Sequence, residues 1–321
     1  MSESNRFTYP HQLDYEKFSE VIQRLKRPCD PVDVVLDTDT FNEIDDQYAI
    51  AYLLQSDRQK QLNVRAFMAA PFLNHHSESA AEGMLKSYQE IIKVLRLMKR
   101  EEYIPYVWKG AADFLMNEAT PVKSDASERL IELSKGYTKK NPLYVVCIAA
   151  PVNVASAILT DPSITERIVV IWSGGVSLGW PDCQCFNGGQ NVAASRVLLE
   201  SGVPLVLVPG RAVGDRLLVS EQELEYWLRG KNEFCDYIID KTIQEAKIFS
   251  EGKVWSRPLT DVAPIAWLVD ESYTLDRIEF RPNIEYSKYF SYDPRRPMMR
   301  YVYYVKRDQI LDDLFKKLGQ I

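Results

Sequence analysis

The stretch Val34–Ala49 reads Val-Val-Leu-Asp-Thr-Asp-Thr-Phe-Asn-Glu-Ile-Asp-Asp-Gln-Tyr-Ala. Five acids (Asp37, Asp39, Glu43, Asp45 and Asp46) directly follow a short apolar run. Val34, Val35 and Leu36 have the β-branched, apolar character of a buried strand, and from Asp45 the pattern turns helical through Ile50, Leu53 and Leu54. The acids therefore fall on a strand-to-helix turn. In an open parallel sheet such turns lie at the carboxyl ends of the strands, where these folds place their ligands. Carboxylates this close repel one another and raise each other's pKa unless a cation joins them. Oxygen ligands without a neighbouring Cys or His select Ca²⁺ or Mg²⁺ over zinc or copper. The structural alternative is a solvated acidic turn with an N-capping Asp. The apolar strand argues against it, because it carries Asp37 toward the interior.

Outward from this turn the chain alternates. A helix over 14–27 ends at Pro28 and Pro31, ahead of the first strand. Leu62–Ala70 is a second strand, ending in Ala-Pro-Phe-Leu-Asn-His-His, which puts Asn74 at the same sheet edge as the acids. A long helix carries Met84, Tyr88, Ile91, Leu95 and Met98 on one face. Strands are expected at Tyr103–Val107, Leu143–Ala149, Arg167–Trp172, Pro204–Val208 and Tyr301–Lys306, with helices at Ala126–Leu133, from Ala150, and at Val192–Leu199, 221–229, 233–249, Val262–Val269 and 308–318. Such alternation predicts an α/β protein with a single domain, a mostly parallel open sheet of Rossmann-like type covered by helices on both faces. Residues 1–31 read as a helical extension and 32–321 as the domain.

The chain has 321 residues, 46% of them hydrophobic and 26% charged, which suits a large globular core. A net charge of −6 and a pI near 5.4 argue against a nucleic-acid surface. Cys29, Cys147, Cys183, Cys185 and Cys235 lack a disulfide-like spacing, and the Cys183-Gln-Cys185 pair reads as ordinary thiols, so a cytoplasmic location is expected. There is no apolar N-terminal stretch and no run of the roughly 20 apolar residues that a bilayer requires.

Asp37-Thr-Asp39…Asp45-Asp46, Ala-Pro-Val-Asn-Val-Ala at 150–155, Trp-Ser-Gly-Gly at 172–175, Phe186-Asn187 and Thr260-Asp261 together resemble the inosine-uridine-preferring nucleoside hydrolase family. The Asn-Glu-Ile-Asp-Asp form of the motif, with two extra residues, is similar to a less characterised bacterial branch. The resemblance implies a Ca²⁺ ion held by Asp39, Asp46, Asp261 and the main-chain carbonyl of Val152. It makes Asp39 the general base toward the attacking water and Asp37 a buried acid orienting the turn. It gives Asp45, Asn74 and Asn187, with Asn42 and Glu43, the ribose. The implied substrate is a small-molecule nucleoside or riboside, and the implied assembly a homo-oligomer. The chemistry fits the residue types, since N-glycoside hydrolysis passes through an oxocarbenium-like sugar that carboxylates stabilise.

Two positions depart from the family. Cys185 stands where a Glu commonly holds the ribose 5′-hydroxyl, and Thr260 stands where a His commonly serves the leaving base. His75 or His76 beside Asn74 could substitute, although loop histidines are more often simply solvated. Two other readings remain open at this point. Asp37-Thr-Asp39-Thr40 after an apolar run also looks like the nucleophile motif of haloacid-dehalogenase-type phosphatases, with Mg²⁺; that fold needs a later acidic pair, for which Gly214-Asp215 is a poor candidate. A non-catalytic sugar or nucleoside binder could keep the cation site. Trp172, Trp255 and the tail tyrosines Tyr286, Tyr289 and Tyr292 could stack on a base, though core packing is the commoner use of such residues.

Overall fold

The computed structural model describes residues 15–321, with side chains from Ser19 onward. The start of the expected extension, including His11, lies outside the described residues. The elements that position the acids are β1 (Asp33–Thr38), α2 (Asp45–Arg58), β2 (Asn63–Ala69), α3 (Ala80–Leu97), β3 (Val107–Lys109), α4 (Asp125–Ser134), β4 (Leu143–Cys147), α5 (Val152–Thr160), β5 (Ile168–Ser173) and β6 (Leu205–Val208), preceded by α1 (Tyr15–Arg24).

An eight-stranded sheet runs in the order β3-β2-β1-β4-β5-β6, then Met298–Val305, then Thr274–Phe280. The first seven strands are parallel, and Thr274–Phe280 closes the edge antiparallel. The order climbs outward from β1 to β3 and then restarts at β4 on the other side of β1. This reversal opens a crevice at the carboxyl end of β1, the position where open α/β sheets bind ligands.

Period-two alternation sorts the strand residues between two cores. Val34, Leu36, Phe67, Val146 and Ile171 pack on one face with α2, α3 and the helices Val262–Val269 and Arg307–Leu318. Val35, Met68, Val145, Val170 and Trp172 pack on the other with α4, α5 and the helix Val192–Glu200. Both faces are covered, which is why the strands read as continuous apolar runs rather than alternating ones. α1 is tied down by Arg24, whose guanidinium donates to the carbonyls of Thr165 and Ile168 at 2.8 and 3.3 Å.

The expected strand at Tyr103–Val107 is corrected. Glu101–Tyr106 is a 3₁₀ helix containing Pro105, and the strand begins only at Val107. Pro105 cannot donate to a ladder, so pairing with β2 starts after it. The strand Thr274–Phe280 was not expected from the sequence. Its Thr-Leu-Asp-Arg-Ile-Glu-Phe sequence is half-exposed, as suits a sheet edge.

Candidate active site

The site forms where β1 hands over to α2. Asp37 is the last-but-one residue of β1 and is wholly buried. Its Oδ1 accepts from Asn153 Nδ2 at 2.8 Å, and Asn153 Oδ1 in turn accepts from the backbone N–H of Ala111 at 2.8 Å. Burial pushes the Asp37 carboxyl up to about 7. Its wholly buried carboxyl, committed to Asn153 and the Cys147 thiol, is that of a structural acid holding the turn.

Asp39 is buried too, and among the described residues both of its carboxylate oxygens lack any hydrogen-bond partner. Burial, followed by the charge of Asp45, holds its carboxyl well above the ordinary range. Asp45 and Asp46 open α2, whose N-cap residue is Ile44, so neither acid caps the helix although its dipole favours both. Asp46 Oδ1 accepts from Thr38 Oγ1. Asp261 stands at the N-cap of Val262–Val269 but makes no capping bond. Its Oδ1 accepts from Ser173 Oγ at 2.9 Å, while its N–H donates to Asp45 Oδ2 at 3.2 Å.

Each of Asp45, Asp46 and Asp261 offers a carboxylate oxygen, and these three atoms lie within 4.8 Å of one another. Burial comes first in raising all three; the charge of Glu43 then adds to it at Asp45, which reaches about 7, those of Asp39 and Asp45 at Asp46, and those of Asp45 and Asp46 at Asp261. Asp39 is not part of this tight trio, but its charge is felt by both Asp46 and Asp261. Three clustered acids, together with one buried acid whose oxygens are unpartnered, are a donor set fitted to a hard divalent cation. Val152 is the first residue of α5, buried next to the end of β4.

The ribose candidates divide. Asn187 donates to the carbonyls of Ile148 and Ser173 at 3.0 and 2.9 Å, which fixes its side chain at the mouth. Asn74 donates to Asn42 Oδ1 at 2.6 Å and accepts from the His76 N–H at 2.8 Å, so these two asparagines are coupled. Glu43 lies 3.4 Å from Arg257, making it half of an ion pair at the rim.

A cavity of about 310 Å³ opens beside the trio. Asn42, Glu43, Asp45, Asn187 and Asp261 line it, together with Ser173, Gly174, Arg211 and Asp215. Sequence reasoning gave the last two no place here. They follow β6, and the one available signal was their position just past a strand's carboxyl end. Cys185 and Thr260 line the same cavity. Cys185 Sγ accepts from the N–H groups of Gly175 and Gly188 at 2.9 and 3.1 Å, so it caps the short turn that carries Phe186 and Asn187. Burial raises its thiol, against the pull of those N–H groups and of Arg211. The Thr260 methyl packs toward Gly214, where an added Cβ would come within 2.8 Å.

His75 and His76 stack at 3.8 Å between ring centres, with Phe41 edge-on to His76 at 6.1 Å. Burial lowers the His76 pKa. Trp172, one of the candidate stacking residues, belongs to the core and donates to the Ala149 carbonyl at 3.2 Å.

This architecture is that of an open, doubly wound α/β protein with an acid-lined crevice at its topological switch point. Residues 34–291 match the family described as inosine-uridine preferring nucleoside hydrolase, and the chain belongs to that family. It is therefore a hydrolase acting on N-glycosidic bonds, within a metal-dependent family. A plant nucleoside hydrolase is similar in structure, with a TM-score of 0.72 at 17% identity, covering 91% of this chain and 100% of its own. A purine-preferring ribonucleoside hydrolase from Gardnerella vaginalis gives a TM-score of 0.67 at 17% identity, covering 90% and 98%. The type III effector protein XopQ, solved with adenosine diphosphate ribose, gives 0.69 at 16% identity, covering 95% and 98%. No curated protein matches the chain.

Proposed function

We propose that this protein is a calcium-dependent ribonucleoside hydrolase, releasing a free base and ribose. The observation that carries this reading is the convergence of Asp261 with Asp45 and Asp46, within 4.8 Å, beside an Asp39 whose oxygens have no partner. Asp39, Asp46, Asp261 and the Val152 carbonyl are the proposed Ca²⁺ ligands. Bound there, the cation supplies Lewis acidity that orients the water and the sugar diol. Asp39 takes the proton of the attacking water, a role open to it because its oxygens are free of any other hydrogen bond among the described residues. The water oxygen bonds to the anomeric carbon as the C–N bond breaks; the electron pair of that bond leaves with the base, which takes up a proton to balance the one that Asp39 accepts. The carboxylates around the ring stabilise the positive charge that develops on the sugar. Asp45, Asn74 and Asn187, with Asn42 and Glu43, hold the ribose. Cys185 and Thr260 bring neither a carboxylate nor an imidazole, so His76, in the loop that carries Asn74, is a candidate acid for the leaving base.

The test is release of free reducing sugar from purine and pyrimidine nucleosides with Ca²⁺ and with chelator. Release that needs Ca²⁺ supports the reading. Tight nucleoside binding without release would make the protein a binder instead. Activity unchanged by chelator would remove the cation from the mechanism.

A further inference from the structure

The cavity beside the acids is not uniformly acidic. Arg211, three residues past the end of β6, lines it alongside Asp45 and Asp261. The arginine is held in place from two sides. Its guanidinium lies 5.0 Å over the Trp180 ring, and Nη1 donates to the Gln184 carbonyl at 2.7 Å. Among the described residues it forms no ion pair, so the remaining donors of its fork are uncommitted. Next to it on the same wall stands Cys185, a neutral side chain. Arg211 is thus an exposed cation, braced on one side by Trp180, that lines the same cavity as the carboxylates of Asp45, Asp215 and Asp261.

We infer that the site takes ribosides bearing an anionic group on the 5′ position, a nucleoside 5′-monophosphate being the simplest, with Arg211 as the specificity-determining residue. This inference rests on the riboside reading of the cavity. A guanidinium recognises phosphate through paired N–H donors, and a guanidinium already immobilised by stacking loses little freedom in doing so. A carboxylate at position 185 would repel such a group, whereas a thiol does not. Asp215, on the same wall, is the one acid a phosphate must clear, and it sets a second test.

The experiment uses the full chain with Ca²⁺ and compares base release from inosine and from inosine 5′-monophosphate. It also compares calorimetric binding of ribose 5-phosphate with that of ribose. A charge-assisted contact leads us to expect a preference of about tenfold to a hundredfold for the phosphorylated partner in each pair. Arg211→Ala should abolish that preference mainly through KM, Arg211→Lys should restore part of it, and Asp215→Asn should enlarge it. Hydrolysis of inosine with refusal of the monophosphate overturns the inference while leaving the nucleoside reading intact. Equal losses on both substrates in Arg211→Ala also overturn it, since the arginine would then be structural. If neither compound is hydrolysed, the proposed function falls, and ribose 5-phosphate binding no tighter than ribose overturns the inference separately.

Discussion

Removing a charge from the acidic trio should make the metal-free protein more stable. Asp261→Asn is the informative change, because asparagine is isosteric and its Oδ1 can still accept from Ser173 Oγ. At the 4.8 Å that bounds the trio, two unit charges in an effective dielectric near 20 repel by about 3.5 kcal/mol. Partial protonation already relieves some of that, so a gain of about 1–3 kcal/mol is expected at pH 8 with chelator present. With an unfolding entropy of about 2.1 cal/mol/K per residue over 321 residues, the melting temperature should rise by about 2–5 °C. The sign with pH follows from the raised carboxyls. Asp37 and Asp45 are pushed from the ordinary range to about 7, so the folded chain holds protons that the unfolded chain has released. Stability of the metal-free wild type therefore falls as pH climbs from about 4 through about 7. The variant's advantage should accordingly shrink at pH 5. Calcium should reverse the ranking, since ligand binding to the native state stabilises by about 4 kcal/mol at a thousand times Kd, and the variant has lost a proposed ligand. Scanning fluorimetry at pH 5 and pH 8, with chelator and with Ca²⁺, reads all four conditions. A chelated variant that melts below wild type at pH 8 would refute the electrostatic account, and an equal calcium response in both would refute Asp261 as a ligand.

Three further outcomes are expected. Asp39→Asn should abolish base release while circular dichroism stays native, and surviving hydrolase activity would mean another group is the base. Asn153→Ala strands Asp37 Oδ1 and the Ala111 N–H, while Asp37 Oδ2 keeps the Cys147 thiol, so it should cost about 2–5 kcal/mol in urea unfolding; a cost under about 1 kcal/mol would show that water replaces the amide. Wild type should cleave p-nitrophenyl riboside, whose leaving group needs no acid, far better than inosine, and Thr260→His should narrow that gap; parity in wild type would point to His76, testable as His76→Ala.

The fold was legible because strand and helix periods differ so clearly around the acids, and because strands buried on both faces read as nearly continuous apolar runs. The 3₁₀ segment at Glu101–Tyr106 escaped because Ile104 and its aromatic neighbours suit a strand locally, while Pro105 decides otherwise. The acids Asp37 to Asp46 were legible as a cluster. Asp261 came only through the resemblance, since nothing local to Thr260-Asp261 announces contact with Asp45. Arg211 and Asp215 were missed for the same reason: a wall built by a turn after β6 has no periodicity to read. The Glu43–Arg257 pair spans more than two hundred residues and is likewise a product of tertiary structure alone.

The distance along the chain between Asp46 and Asp261 also bears on how the protein matures. A ribosome emits residues in order, and the acids at the end of β1 emerge long before the helix Val262–Val269 that brings Asp261 to them. During that interval Asp45 and Asp46 have each other but not their third companion. Any cation the three hold together is thus captured late, after most of the sheet has been synthesised. Ion loading then reports on completion: a nascent chain stalled before Thr260 could build β1 to β6 and still present only an incomplete set of carboxylates to a cation.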